Sequence, residues 1–192
     1  MTQIVARTAR LTLRTEAEGD QAVWRAHMND ERVMARLGGP RTPAAIAEAF
    51  AQRAENWARH GFTFLMLERS EDGLLIGQCG LSLIESPHAP PQMRGAMQIG
   101  WLLRADCWGQ GYALEAARAM RDMAFARHGA AVLYAQTSRN NPASWRLIGK
   151  LGMTRRADLD YVDPDHAAEN NPAMVHEQTR AGWRAQTEGK AP

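Results

Sequence analysis

The stretch Trp108-Gly109-Gln110-Gly111-Tyr112-Ala113 constrains this chain more than any other. The apolar run Met97-Gln98-Ile99-Gly100-Trp101-Leu102-Leu103 leads into it, and a helical pattern from Leu114 to His128 leads out. Strand, glycine turn and helix start, in that order, aim backbone N–H groups at an anion. The first N–H groups of a helix have no acceptor inside the helix, and the helix dipole makes that end positive. Glycine admits positive φ and lets the backbone come close to a bulky phosphate. The pattern therefore predicts a diphosphate cradle, with a plain glycine-rich connection as the competing reading. An ATP-binding loop needs a lysine and a hydroxyl residue directly after its last glycine, and Tyr112-Ala113 stand there instead. A dinucleotide fingerprint needs a small residue where Leu114 stands, so that reading is weak.

Bulk properties narrow the partners. A chain of 192 residues suits one domain with a sizeable core. Its 23 basic and 21 acidic residues leave a net charge of +2, too little for a strong field toward nucleic acid or membrane. No basic stripe with interleaved aromatics appears. Cys79 and Cys107 are too few for a disulfide framework, which points to a reducing cytoplasm. Residues Met1 to Arg7 show no secretory signal, and no apolar run approaches the roughly 20 residues of a membrane helix. A single domain over residues 1–184 and a frayed tail over 185–192 are expected.

Arg10 to Arg14 alternates polar and apolar residues and reads as a strand. Asp20 is the expected N-cap of a helix through Val23, Trp24 and His27, and Asn29-Asp30 opens a short second one through Met34. Thr42-Pro43 opens a long helix with Ile46, Phe50, Ala54 and Trp57 on one face, closed by His60-Gly61. Phe62–Leu67 and Leu74–Leu83 read as a hairpin joined by Ser70-Glu71-Asp72-Gly73. Gly77 and Gly80 inside its second strand mark a bulge or a close backbone approach. The helix after the glycine turn buries Leu114, Ala117, Met120, Ala124 and Phe125, and Gly129 ends it. Ala131 to Thr137 is then a strand parallel to the Met97–Leu103 run, because the crossover between them is right-handed. Asn140-Asn141-Pro142 caps a helix to Lys150. Met153 to Leu159 reads as a strand, Asp160 to Pro172 as a loop, and Ala173 to Thr179 as a last strand.

Taken together, Ile99-Gly100-Trp101-Leu102-Leu103, the glycine turn with Leu114-Glu115-Ala116, Asn141-Pro142-Ala143-Ser144 and Gly149-Lys150-Leu151-Gly152-Met153 resemble the GNAT superfamily of N-acetyltransferases. The likeness is strongest to the branch that acetylates ribosomal-protein N-termini and its small-molecule relatives. Thr8-Ala9-Arg10-Leu11-Thr12-Leu13-Arg14 looks like that branch's first strand, and Thr179-Arg180-Ala181-Gly182-Trp183 like its usual ending. The resemblance covers nearly the whole chain. It implies an α/β (α+β) fold with a mixed central sheet of about six to seven strands. The N-terminal half would be antiparallel, a parallel pair would splay around the cofactor, and helices would cover both faces.

The resemblance also implies acetyl-CoA as co-substrate, a primary amine as acceptor, no metal, and a monomer or homodimer. Carried over residue by residue, Trp108, Gly109, Gln110, Gly111, Tyr112 and Ala113 would bind the pyrophosphate. Trp108 replaces the basic or glutamine residue common there, which removes one phosphate cation. Leu102 and Leu103 sit where the strand backbone pairs with the pantetheine arm and the thioester carbonyl. Asn141 and Ser144 match the family's Asn-x-x-Ser pattern, with Asn141 reaching the arm and the Ser144 hydroxyl near the leaving thiolate. Ile148 stands where many members have an acidic tyrosine, and Gln98 where many have a glutamate base. His176 is then the best-placed base among Glu85, His88, Asp160, His166 and His176. The acidic loop from Asp158 to Glu169 would suit a cationic amine. Ile148 and Gln98 also motivate an alternative, a CoA-binding sensor or interaction module that has lost the reaction.

Overall fold

Local sequence signals set the element ends of this computed structural model, which describes residues 2–189. The chain divides into two units. The first comprises Met1–Ser82 and Gly100–Ala119, the second Leu83–Ile99 and Met120–Pro192. Among the described residues the sheet has eight strands, in the spatial order Ile4–Arg7, Leu11–Arg14, Phe64–Arg69, Leu75–Leu83, Met97–Leu103, Val132–Thr137, Met174–Thr179 and Thr154–Arg155, so it is larger than expected.

In the first unit, β1 (Ile4–Arg7) pairs antiparallel with β2 (Leu11–Arg14), and β2 with β3 (Phe64–Arg69). β3 pairs antiparallel with β4 (Leu75–Leu83), and the register slips between Leu67 and Glu68 opposite Gly77. The bulge expected at Gly77 is therefore present. Gly80 also fits its expected close approach, since a Cβ there would lie 2.7 Å from Phe64 N.

α1 (Asp20–His27), α2 (Glu31–Met34) and α3 (Pro43–His60) lie between β2 and β3 in sequence. The Asp30 side chain accepts from Val33 N and Thr42 from Ala45 N, so both short polar residues cap as their positions suggested. Asp20 does not cap α1. Gly19, at φ 88°, holds the cap position. The Asp20 carboxylate instead takes two bonds from Arg14, at 2.6 and 2.9 Å, and one from Ala17 N at 2.7 Å. The inward stripe of α3 runs through Ile46, Phe50 and Arg53 rather than Ala54, which is exposed. Trp24, Met28, Val33, Met34, Ile46, Phe50, Met66 and Leu75 form a core cluster, and Leu102 packs against it.

β5 (Met97–Leu103) and α4 (Tyr112–Ala126) run from one unit into the other. In the second unit β5 is parallel to β6 (Val132–Thr137), with Met97 opposite Leu133 and Gln98 opposite Tyr134. This is the parallel pair the crossover predicted. β6 pairs antiparallel with β8 (Met174–Thr179), and β8 with β7. β7 is only Thr154–Arg155, shorter than the strand expected through Leu159. Residues Ala157–Leu159 turn as a 3-10 helix instead, with Arg156 bonded to Asp158 and Leu159 buried in the core. α5 (Pro142–Leu151) ends on Gly152 in the left-handed region. α6 (Arg180–Glu188) makes the first four residues of the expected tail helical, while residues 190–192 of that tail lie outside the described residues. Among the described residues, no helix is long and apolar enough to cross a membrane.

Candidate functional site

The glycine turn has the form an anion needs. After β5, residues Ala105–Cys107 make one 3-10 turn. Gly109 and Gly111 then adopt φ of 75° and 84°, and α4 starts at Tyr112. Positive φ at both glycines is what lets the chain reverse into the helix without a Cβ clash. The first helical bond runs from Glu115 N to Gly111 O at 3.1 Å, so the N–H groups just before it have no acceptor within the helix. Gly109, Gln110 and Gly111 are exposed, and nothing lies within 4 Å of a Cβ built on Gly109. Side chains tie the turn down from behind. Gln110 Nε2 donates to Asp106 O at 3.0 Å, and Trp108 Nε1 donates to Leu103 O at 2.9 Å. The Leu103 carbonyl is thus already used, while Gly77 lets β4 approach Leu102 and Leu103 so closely that a Cβ would sit 2.8 Å from Leu103 Cα.

Sequence reading missed what stands around this turn. Glu115, one turn into α4, takes Thr8 Oγ1 at 2.6 Å, Arg10 N at 2.8 Å and Arg10 Nε at 2.7 Å. Burial opposes its ionisation, but the bonds from Thr8 and Arg10 outweigh it and hold the carboxyl below the ordinary glutamate range. Arg10 Nη1 donates to Gln110 O at 2.9 Å, and its guanidinium lies 4.4 Å from the Tyr112 ring centroid. The Arg32 guanidinium lies 5.8 Å from the ring centroid of Trp108, which is 47% exposed. Cys107, beside the turn, is buried, and burial pushes its thiol up, which suits packing rather than nucleophilic attack.

In the second unit Asn141 caps α5, its Oδ1 accepting from Ser144 N at 3.2 Å. That bond leaves the Asn141 amide NH2 and the Ser144 hydroxyl free of the cap. Asn140 does not cap; its amide donates to Glu169 O at 3.1 Å. Ile148 is buried on α5. Gln98 closes a neutral chain: Tyr161 Oη donates to Gln136 Oε1 at 2.6 Å, and Gln136 Nε2 donates to Gln98 Oε1 at 2.8 Å. His176 pairs with Ala135 across the β6–β8 ladder. Burial first, and Arg155 second, lower its pKa, and its Nδ1 is buried with no partner. Both effects favour the neutral imidazole. The loop after β7 is less anionic than its composition suggested. Asp158 pairs with Arg156 at 2.6 Å, Asp160 forms a bidentate pair with Arg155, and Asp163 accepts from Ser86 Oγ at 2.8 Å. Glu85, His88 and His166 are exposed.

Residues 10–154 match the family model described as Acetyltransferase (GNAT) domain, so the chain belongs to the GNAT acetyltransferase family. Acetyl-CoA-dependent acyl transfer is the activity of that family. The chain is 31% identical over 149 residues to the uncharacterized protein YkkB of Bacillus subtilis (strain 168), covering 76% of this chain and 83% of YkkB. The acetyltransferase from Agrobacterium tumefaciens str. C58 superposes with a TM-score of 0.72 at 31% identity, over 90% of this chain and 92% of that one. The aminoglycoside acetyltransferase AAC(6')-Ib in complex with coenzyme A shares the fold at a TM-score of 0.74 and 21% identity, over 92% and 99% of the two chains.

Proposed function

We propose that this protein transfers the acetyl group of acetyl-CoA to a primary amine, a protein N-terminus or a small molecule, by direct attack on the thioester. The neutral amine nitrogen forms the new C–N bond, the C–S bond breaks, and CoA leaves as the thiolate. The observation that carries this reading is the exposed turn with two positive-φ glycines at the head of α4. In it, the amides of Gly109, Gln110, Gly111, Tyr112 and Ala113 hold the diphosphate, with Trp108 fixing the turn's entry. The main chain of Leu102 and Leu103 lines the arm, and hydrogen bonds aimed at the thioester carbonyl would also hold the oxyanion. Asn141 offers its NH2 to the arm, Ser144 its hydroxyl to the thiolate, and His176 takes the proton that the nitrogen gives up once the C–N bond has formed. The reaction takes place in the cytoplasm, on a monomer or homodimer without metal.

The test is thiol release from acetyl-CoA with purified protein and a panel of amines and N-terminal peptides, alongside calorimetric binding of acetyl-CoA. Turnover with at least one acceptor is expected, and Gly111→Val is expected to abolish binding without unfolding the chain. No binding at millimolar acetyl-CoA refutes the reading. Tight binding with no release across the panel indicates the sensor instead.

A further inference from the structure

The glycine turn lacks a basic side chain of its own, yet a guanidinium stands against it from 100 positions away in sequence. Arg10 is fixed on two sides. Its Nε donates to Glu115 Oε2 at 2.7 Å, and its Nη1 donates to Gln110 O at 2.9 Å. The planar fork then leaves Nη2 as the remaining donor group, and that nitrogen lies 3.3 Å from where a Cβ on Gly111 would be. The side chain is 46% exposed, so Nη2 is open to a ligand seated on the turn. The neighbouring carboxylate is occupied. Both Glu115 oxygens accept hydrogen bonds, from Thr8, Arg10 N and Arg10 Nε.

We infer that Arg10 is a binding residue for the diphosphate of the acyl donor, supplying the cation that Trp108 removes. The inference rests on the proposed acetyl-CoA reaction and deepens it. A guanidinium held in a fixed plane is pre-organised for phosphate oxygens, so little side-chain freedom is lost when the ligand arrives. Its stacking over the Tyr112 ring, 4.4 Å from the centroid, fixes that plane further. The ligand is identified by its chemistry, a diphosphate ester, and the 3′-phosphate of CoA is the other anion that could use the same donor.

Steady-state kinetics with three acyl donors test the inference: acetyl-CoA, acetyl-dephospho-CoA, which lacks the 3′-phosphate, and S-acetylpantetheine, which lacks all phosphates. Arg10→Ala is expected to raise KM for the first two donors by about tenfold or more, the worth of a charged hydrogen bond. It should leave kcat unchanged, and the S-acetylpantetheine KM should not move. Inorganic pyrophosphate should compete with acetyl-CoA on the wild-type protein and more weakly on Arg10→Ala. Should Arg10→Ala prove unstable, Arg10→Lys keeps a charge without the fork and is expected to show the same donor dependence at smaller size. Equal losses with all three donors make Arg10 a purely structural strut and overturn the inference. A loss confined to acetyl-CoA assigns it to the 3′-phosphate and overturns it as well. Unchanged KM values refute it while leaving the transferase reading standing. A wild-type protein that turns over S-acetylpantetheine but not acetyl-CoA removes both.

Discussion

Gly80→Ala should be among the most damaging single-methyl changes in this protein. Gly80 stands opposite Phe64 in the β3–β4 ladder. A Cβ there would lie 2.7 Å from Phe64 N, and nearer still to Phe64 Cα and Thr63 O. Carbon contacts favour about 3.5–4.0 Å, so the strands must separate by on the order of 1 Å. All three atoms are backbone, and no rotamer change relieves them. Overpacking of this kind costs about 1–3 kcal/mol. The separation also strains the Leu81 N to Thr63 O bond, 3.2 Å long, worth about 1 kcal/mol. Alanine returns about 0.5–1 kcal/mol through the stiffer unfolded chain. The net loss is roughly 1–3.5 kcal/mol, which at about 2–4 °C per kcal/mol for a chain of this size lowers Tm by roughly 2–14 °C. Gly100→Ala is the control. Its Cβ would meet Phe64 at Cζ, 2.8 Å, and Cε1, 3.0 Å, the far end of a ring that can turn aside. Its loss should stay below about 1 kcal/mol. Thermal melts and urea titrations with an unchanged m-value measure both. Equal shifts for the two variants, or a Gly80→Ala melt within 1 °C of wild type, would refute the steric reasoning.

Three further outcomes follow from separate parts of the molecule. Thr42→Ala removes the cap on α3 and should cost about 1 kcal/mol in a urea titration, with Thr42→Gly costing less. Glu115 has a folded pKa below its unfolded value, so its stabilisation is present above the unfolded pKa near 4.5 and is lost as pH falls through the folded one; the acid limb of the stability profile should flatten in Glu115→Gln, and an unaltered limb would count against the clamp. His176 is also depressed, but as a base: the unfolded chain takes up the proton first, so stability is full above about 6.5 and falls as pH drops toward the folded pKa. His176→Gln should remove that component below about pH 6.5, read by melts at a series of pH values.

The elements visible in the sequence are those whose cause is local. Thr42-Pro43, Asp30, Asn141, Gly61 and Gly152 each set an element end through their own side chain or φ, within a few residues. The parallel β5–β6 pair followed from a handedness rule that needs no knowledge of contacts. The misreadings share the opposite cause. Asp20 has the chemistry of a cap, yet Arg14 on β2 offers it two charged bonds, and a charged pair outcompetes one cap bond. Ala54 fits the apolar stripe of α3 by type, but Arg53 is the residue turned inward. Glu16 at 2.5 Å, Gln78 at 3.3 Å and the Phe50 ring at 4.0 Å receive its guanidinium there. Neither exchange leaves a mark on hydrophobic periodicity, because the partners lie on other elements.

The same division runs through the candidate site. The bend of the glycine turn was legible because the main chain sets it, and glycine spacing encodes main-chain direction. Its supporting charges were not, since Arg10 reads as one more polar residue in an alternating strand and Glu115 as an ordinary first-turn acid. Only the fold brings them within 2.7 Å of each other. The acidic loop shows the reverse error. Five carboxylates in a short span suggested an attraction for cations. Arg155 and Arg156 neutralise two of them, however, and the Asp163 carboxylate is turned to Ser86 and the backbone N–H of Asp165. Composition counts charges and cannot tell paired ones from free. Acceptor preference in this chain therefore has to be sought where a polar group keeps an unused bond. In the second unit the His176 imidazole, its Nδ1 buried without a partner, meets that condition, whereas the Gln98–Gln136–Tyr161 chain spends its polar atoms on one another.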